Sequence, residues 1–320
     1  MLIESKFIPA KGFRDPHRQT ITASIFRRRP KVTLVRERIE LDDGDFLDLD
    51  WGEKFPDRPL VLVLHGLEGN SESKYAAGIL AALAKNKFNA VLLHSRGCSG
   101  EPNRLVKSYH AGGTDDMAFI ATLVKERFAN VPLYAVGYSL GANALLKWLG
   151  ETGLNNPIDA AAAVSAPFDL SACATRLESG LSQIYQTFLL RKMKAAARAK
   201  RDLLSTVIDF PDLGKIKTFT KFDQLITAPI HGFSSAEDYY QSSSCKQYLL
   251  GIKKPTVILQ SLDDPFMYAH SGPTEQDLSE TTTFEWSRFG GHVGFISIDK
   301  EHPYWLEKRI PEWLESQIAR

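Results

Sequence analysis

The sequence has only three cysteines, no long apolar run and almost no net charge, and each of these shortages excludes a class of protein. Cys98, Cys173 and Cys245 show no paired spacing, so we expect neither a disulfide scaffold nor a zinc ribbon. The longest apolar run, residues 60–64, is far shorter than the roughly 18 residues of a membrane-spanning helix. Because 39 lysines and arginines balance 38 acidic residues, binding of nucleic acid through bulk charge is not expected.

The amino-terminal stretch lacks the features of a targeting sequence. Glu4 and Pro9 interrupt it early, and no apolar segment is present that could form the core of a signal peptide. We therefore expect a cytoplasmic protein. Residues 1–31 show no regular pattern and end in several cations, which predicts an irregular, basic arm exposed to solvent.

The body of the chain alternates between strand and helix patterns. Residues 32–40 and 46–51 flank a turn-forming cluster, which predicts a hairpin. From residue 60 onward, short apolar runs such as 60–64 and 90–94 alternate with helical patterns. This spacing predicts parallel strands joined by right-handed crossovers, and therefore an α/β fold with a mostly parallel, doubly wound sheet.

The alternation stops for about ninety residues in the second half of the chain, more than a connecting loop needs. We predict an inserted, mostly helical cap over residues 168–249, which leaves 1–167 and 250–320 as the core. Apolar residues at positions 181, 184, 185, 188 and 189 predict a helix face that packs on the core. Residues 191–201 are basic without any acid, and form either a solvated surface or a lid that lines an acyl tunnel or rests on anionic lipid.

A G-x-S-x-G motif at residues 137–141 lies where a predicted strand ends and a helix begins. This is the context of a nucleophile elbow, in which a sharp turn holds the serine hydroxyl out from the sheet edge. The glycines keep side chains away from the place where strand and helix nearly touch. The motif alone is common by chance, but its position makes Ser139 the candidate nucleophile.

A serine nucleophile needs a base, and the base needs an orienting acid; in this arrangement both follow the serine along the chain. His292 lies in a glycine-rich loop just after the last predicted strand and is preferred as the base over His270 and His302.

Two adjacent aspartates follow the strand pattern at residues 256–260 and provide candidates for the acid. Asp264 is preferred over Asp263, because it takes the acid position of the pattern G-x-x-D-x-x-V-P when Ser261 takes the glycine position. Asp169, which follows the preceding strand, is a weaker alternative. No third carboxylate or histidine at ligand spacing accompanies the pair, so we expect no metal site and no cofactor.

An oxyanion needs two preorganised backbone donors. We expect these to be the amides of Leu140, directly after the nucleophile, and Leu67, in the H-G-L-E-G loop at residues 65–69. His65 is interpreted as a structural residue. His110 and Asp115 match a pattern of some acyltransferases, but the neighbouring threonine and aspartates favour a helix N-cap instead.

Together these motifs resemble the YheT-like group of α/β hydrolases, which are esterases related to yeast medium-chain ethanol acyltransferases and to membrane-anchored lipid hydrolases of animals. The resemblance spans nearly the whole chain and rests on residues 65–69, 96–100, 137–141, 230–233, 238–240, 263–266 and 290–295. It implies an α/β-hydrolase fold, a charge-relay triad of Ser139, Asp264 and His292, and hydrolysis of short- or medium-chain carboxylic esters.

The sequence thus predicts a serine carboxylesterase that acts on small acyl esters through an acyl-enzyme. Two alternatives stay open. An acyltransferase would pass the acyl group from the same intermediate to an alcohol in place of water. A non-catalytic binding protein would keep the fold without the activity. Peripheral contact with a membrane rests only on the basic stretch 191–201, and the oligomeric state is open.

Overall fold

The computed structural model describes residues 1–318, and a nine-stranded sheet forms its centre. In chain order the strands are β1 (Leu2–Glu4), β2 (Val35–Glu40), β3 (Phe46–Trp51), β4 (Leu60–Leu64), β5 (Asn89–His94), β6 (Leu133–Tyr138), β7 (Ala160–Val164), β8 (Thr256–Ser261) and β9 (Thr282–Ser287). The spatial order is β1-β9-β8-β7-β6-β4-β5-β3-β2. The β2–β3 and β3–β5 pairs are antiparallel and the others parallel, which confirms the predicted α/β fold.

Helices cover both faces of this sheet. The α-helices are α1 (Pro16–Ile21), α2 (Lys74–Lys85), α3 (Asp115–Arg127), α4 (Leu140–Thr152), α5 (Leu170–Leu177), α6 (Ser182–Ala199), α7 (Arg201–Leu204), α8 (Phe219–Phe222), α9 (Ala228–His231), α10 (Ala236–Ser243) and α11 (Leu306–Ile318). Helices α3 and α4 pack on one face and α2 and α11 on the other. The central strands are therefore buried on both sides, which explains why β4 is a continuous apolar run.

Residues 170–251, between β7 and β8, are mostly helical. Besides α5 to α10 they include a π-helical turn at Asp223–Thr227 and a 3-10 helix at Cys245–Gly251. Most of the segment shares its own apolar cluster, whereas Cys245 and Leu249 pack beside α4 in the cluster of the sheet. The division of the chain into a core and a cap at residues 168 and 249 stays a prediction.

The face that α6 buries differs from the predicted one. Leu181, Ile184 and Phe188 are each more than half exposed, whereas Gln186 and Leu190 are buried. The apolar stripe predicted from the sequence is thus split. Only two of its residues, Tyr185 and Leu189, are partly buried. The prediction that the whole stripe packs on the core is wrong, because a periodic pattern does not show how far the neighbouring elements reach over a helix.

The prediction of an irregular, solvent-exposed arm at residues 1–31 is also wrong. β1 pairs in parallel with β9. Asp15 caps α1, because its side chain accepts a hydrogen bond from Arg18 N at 2.8 Å. Gln19 is completely buried, and its amide oxygen accepts from Ile296 N at 2.6 Å. Elements of three and six residues are too short to show a period, and a buried glutamine has no apolar signature.

No helix among residues 1–318 is long and apolar enough to cross a membrane.

Candidate active site

Ser139 occupies a sharp turn between β6 and α4. Its backbone has φ 51° and ψ −118°, a conformation that residues with a side chain rarely adopt. The turn is held because Ser139 N donates to Val164 O at 2.8 Å and Ser139 O accepts from Asn143 N at 3.0 Å. The serine therefore lies at the carboxyl end of the parallel strands, as the elbow motif predicts.

The two glycines of the motif lie where the backbones approach most closely. A Cβ atom on Gly137 would lie 2.7 Å from Gly141 O, and one on Gly141 would lie 2.4 Å from His65 O. Real Cβ atoms do not approach an oxygen this closely, so any larger residue would push α4 away from β6 or from the loop after β4.

The structure brings Ser139, His292 and Asp264 together in one chain of hydrogen bonds. Ser139 Oγ lies 2.9 Å from His292 Nε2, and His292 Nδ1 lies 2.8 Å from Asp264 Oδ2. The Asp264 carboxylate is almost completely buried, and its other oxygen accepts from Phe266 N at 2.8 Å. With Nδ1 protonated, the ring can accept the serine proton at Nε2.

The other two candidate acids make different contacts. Asp263 Oδ1 accepts from Gly291 N at 2.9 Å, and burial raises the pKa of Asp263 to about 6. Asp169 caps α5 by accepting from Ala172 N at 2.9 Å. Within residues 1–318 neither carboxylate is hydrogen-bonded to His292, and the geometry favours Asp264.

Contacts that the sequence did not predict hold the His292 loop. His292 N donates to Thr20 Oγ1 at 2.9 Å, and Val293 N donates to Ser165 Oγ at 3.1 Å. The imidazole stacks on Phe266, with ring centroids 3.9 Å apart and planes 5° from parallel. The position of Phe266, two residues after Asp264, could have pointed to this contact, whereas nothing in the sequence links Thr20 to the histidine.

Two tyrosine hydroxyls bind the amides on either side of Leu67. Gly66 N donates to Tyr75 OH at 2.7 Å, and Glu68 N donates to Tyr109 OH at 2.7 Å. In the part of the chain that the structure describes, the Leu67 and Leu140 amides have no protein acceptor. Both residues line a cavity together with Ser139. Two free donors are thus present at the positions predicted for oxyanion binding.

Two other histidines near the site, His65 and His110, are held by packing and hydrogen bonds away from Ser139. His65 is buried, its Nε2 accepts from Ser95 N at 3.0 Å, and burial lowers its pKa to about 4. His110 packs against His231, with ring centroids 4.5 Å apart, and burial lowers the pKa of His110 to about 3. Both rings are therefore neutral at physiological pH.

Thr114 takes the N-cap position of α3, as predicted, but its side chain makes no capping hydrogen bond. Two acids occupy the first turn, as predicted, and Asp116 also binds Arg96 at 2.8 Å.

The site opens into two spaces, here named the inner cavity and the outer groove. The inner cavity, about 90 Å³, lies between the sheet edge and the helices after β7, and its apolar walls include Leu170, Leu177, Met193, Phe219 and Met267. The outer groove, about 430 Å³, is lined by Ile21, Ile25, Tyr185, Phe188 and Val293. Ser139, Leu67, Leu189, Phe266 and His292 line both spaces. A substrate bound at the serine could therefore extend in two directions.

A buried carboxyl group, that of Asp223, lies in the wall of the inner cavity. Asp223 accepts hydrogen bonds from Thr227 Oγ1 at 2.6 Å and from Tyr240 OH at 2.7 Å. Burial raises the pKa of Asp223 to about 6.

Across the described residues, no group of three or more histidine, cysteine or acidic side chains is arranged to hold a metal ion.

Known proteins resemble this chain in sequence. Residues 59–296 match a family model described as the alpha/beta hydrolase fold. YheT of Escherichia coli, named as a candidate esterase, is 43% identical over 98% of this chain and 94% of its own length. A monoacylglycerol lipase of Saccharomyces cerevisiae is 32% identical over 81% of this chain and 59% of its own length.

A solved structure shares the fold. The esterase Pf2001 of Pyrococcus furiosus superposes with a TM-score of 0.58 at 16% identity, covering 91% of this chain and 98% of the esterase. YheT and the yeast lipase support hydrolase activity of the esterase or lipase type. The chain belongs to the α/β hydrolases and, among them, to the YheT-like group.

Proposed function

We propose that this protein is a serine carboxylesterase in which Ser139 is the nucleophile, His292 the general base and Asp264 the orienting acid. The observation that carries the proposal is the continuous hydrogen-bonded chain from Ser139 Oγ through the imidazole to the buried Asp264 carboxylate. A hydroxyl becomes a useful nucleophile at neutral pH only when such a base is in place.

In the first half of the reaction, Ser139 Oγ attacks the ester carbonyl while His292 Nε2 takes the hydroxyl proton. Asp264 fixes the Nδ1–H tautomer and stabilises the imidazolium that forms. The Leu67 and Leu140 amides donate to the oxyanion of the tetrahedral intermediate. The imidazolium then protonates the leaving alcohol, and the acyl group stays on Ser139.

In the second half, His292 activates water, which attacks the acyl-enzyme and releases the acid. Stacking on Phe266 and the Thr20 hydrogen bond to the backbone hold the ring in position for both halves. Preorganisation of this kind lowers the barrier because the groups need not reorient during the reaction.

The two spaces beside the serine support an assignment of the substrate. We place the acyl chain in the inner cavity, because its walls are apolar and its small volume suits short or medium chains. The alcohol then lies in the outer groove, which is larger. The name of the yeast relative, a monoacylglycerol lipase, supports an acyl ester as the substrate class. A cytoplasmic location and the lack of a cofactor stay predictions.

Hydrolysis of p-nitrophenyl esters with short, medium and long acyl chains tests this proposal. Wild-type protein should prefer short or medium chains, and Ser139→Ala should lower kcat by about 10⁴-fold or more. Ser205→Ala, which changes an exposed serine far along the chain, is the matched control and should retain full activity.

Two outcomes would replace the proposal by one of its alternatives. Binding of ester without turnover in the wild type would indicate a non-catalytic binding protein. A dominant ethyl ester product in mixtures of water and ethanol would indicate an acyltransferase, because both acceptors compete for the same acyl-enzyme.

A further inference from the structure

Large apolar side chains are exposed around the mouth of the outer groove. Ile25 and Phe26, which follow α1, are 58% and 75% exposed. Across the groove, Leu181, which directly precedes α6, and Ile184 and Phe188 of α6 are 57–60% exposed. The spacing of these three residues places them on one side of the helix. We name these five side chains the apolar rim.

The apolar rim is an unusual surface for a protein in water, because large apolar groups that are exposed together mark sites of interaction. The opposite side of α6 is already used, since Gln186 and Leu190 are buried against the rest of the segment. Within the described residues, nothing covers the outward side.

Cations surround the apolar rim. Arg28 and Arg29 lie two and three residues after Phe26, and both are exposed. Lys74 donates to Ile25 O, and Lys192 Nζ lies 5.3 Å from the centre of the Phe188 ring.

The carboxylates of the groove cancel this charge only in part. Glu72, which is exposed, pairs with Arg29 at 3.1 Å. Glu68 is half-buried, and one of its carboxylate oxygens accepts from Tyr109 OH at 2.9 Å. The surface around the mouth is thus apolar at its centre and positively charged at its edge.

We propose that the apolar rim docks on the surface of an anionic lipid bilayer. The apolar side chains would enter the boundary between headgroups and acyl chains, and the cations would bind lipid phosphates. The outer groove runs from this surface to Ser139, so an ester could pass from the bilayer to the serine without crossing water. This last step rests on the proposed esterase function, whereas the docking itself does not.

Charge argues against a second copy of the chain as the occupant. A symmetric dimer would place the same patch on both partners, so that its cations face each other. A bilayer containing anionic lipid provides the opposite charge together with an apolar interior.

Sedimentation with vesicles tests the docking, using Ser139→Ala protein so that no lipid is consumed. The protein should bind vesicles of phosphatidylcholine and phosphatidylglycerol at least about tenfold more tightly than vesicles of pure phosphatidylcholine, and high salt should reduce the difference. Ile184→Ser with Phe188→Ser should lower the affinity by about tenfold or more. Leu154→Ser with Val207→Ser removes two equally exposed apolar residues elsewhere and should change nothing.

A second pair of substitutions tests the charged edge. Arg28→Gln with Arg29→Gln should weaken binding to anionic vesicles by several-fold at low salt and leave binding to pure phosphatidylcholine unchanged. Lys215→Gln, which changes a cation that is exposed elsewhere, is the control.

Binding that is equal for both vesicle types, or that survives the Ile184/Phe188 substitutions, would overturn the proposal. Dimers seen by analytical ultracentrifugation and abolished by these substitutions would also overturn it in favour of a second copy. Hydrolysis of a soluble short ester separates docking from catalysis. Phe26→Ser with Leu181→Ser, which lie outside the groove lining, should leave that activity unchanged while lowering vesicle binding.

Discussion

Asp263 and Asp264 are neighbours in the sequence, yet their carboxylates face different partners. Asp264 uses one oxygen for His292 and the other for a backbone amide of its own loop. Asp263 binds the Gly291 amide, and its second oxygen is buried without a partner among the described residues. The first arrangement orients a base, and the second fixes the glycine-rich loop that carries this base.

Replacement of each carboxylate by an amide should separate these two tasks. Asp264→Asn should lower kcat by about 10⁴-fold, because the imidazole loses the acceptor that selects its tautomer. Asp263→Asn should lower kcat by less than about tenfold, since the amide oxygen can still accept from Gly291 N. Steady-state kinetics on a soluble ester measure both effects. Equal losses in the two variants would contradict the assignment of the acid.

Residues that follow strands could be predicted from the sequence, whereas distant partners could not. Ser139, Asp264 and His292 stand just after strand patterns, and the carboxyl ends of parallel strands meet at one sheet edge. Thr20 binds the backbone of a residue 272 positions away, and no local pattern reports such a pairing. Nor does a local pattern show that the Tyr109 hydroxyl accepts from Glu68 N, in the loop at residues 65–69.

At the level of elements, the close contact of β6 with α4 makes the elbow intolerant of larger residues. Gly141→Ala should destabilise the protein by about 1–3 kcal/mol and lower activity, because its Cβ would lie 2.4 Å from a backbone oxygen. Gly272→Ala is the control, since its nearest neighbour would be 3.6 Å away. Urea unfolding gives both free energies. A Gly141→Ala variant as stable and active as the control would show that the elbow can relax.

Helix α1 acts on the site through Thr20, which accepts the His292 amide hydrogen. Thr20→Val keeps the side-chain shape and leaves this amide without its acceptor, at a cost of about 1–3 kcal/mol to the loop. We expect kcat to fall by about tenfold with little change in KM. Thr22→Val, two residues further on, is the control. An unchanged kcat in Thr20→Val would mean that the loop is held by its other contacts.

Element boundaries show where sequence patterns are informative. β4, α4 and β7 begin where the apolar runs and the elbow motif place them, because buried parallel strands need continuous apolar residues. β1 has three residues and pairs with the last strand, so neither its period nor its partner is visible in the sequence. The polar side of α1 is buried against the His292 loop. This burial could not be predicted either, because it depends on tertiary contacts and not on local sequence preference.

For the molecule as a whole, buried carboxyl groups make stability depend on pH. Burial raises the pKa of Asp223 from 3.8 to about 6, so the folded state holds a proton that the unfolded chain has already lost between these values. The stabilising contribution is therefore complete below about pH 4 and is lost as the pH rises to about 6. The loss amounts to up to about 3 kcal/mol.

Asp223→Asn should remove this dependence, since an amide does not ionise. Urea unfolding at pH 4 and pH 7 should show that the wild type loses more stability on raising the pH than the variant does. Other buried acids contribute equally to both proteins and cancel in the comparison. Parallel pH profiles would contradict a raised pKa at Asp223.

The most direct test of the account is whether Ser139 is an activated nucleophile. It needs one measurement, the intact mass of the protein after treatment with a fluorophosphonate. Wild-type protein and the Ser205→Ala control should gain one adduct, Ser139→Ala should gain none, and His292→Ala should react slower by about 10³-fold or more. A folded wild-type protein that gains no adduct, or an adduct that persists in Ser139→Ala, would contradict Ser139 as an activated nucleophile.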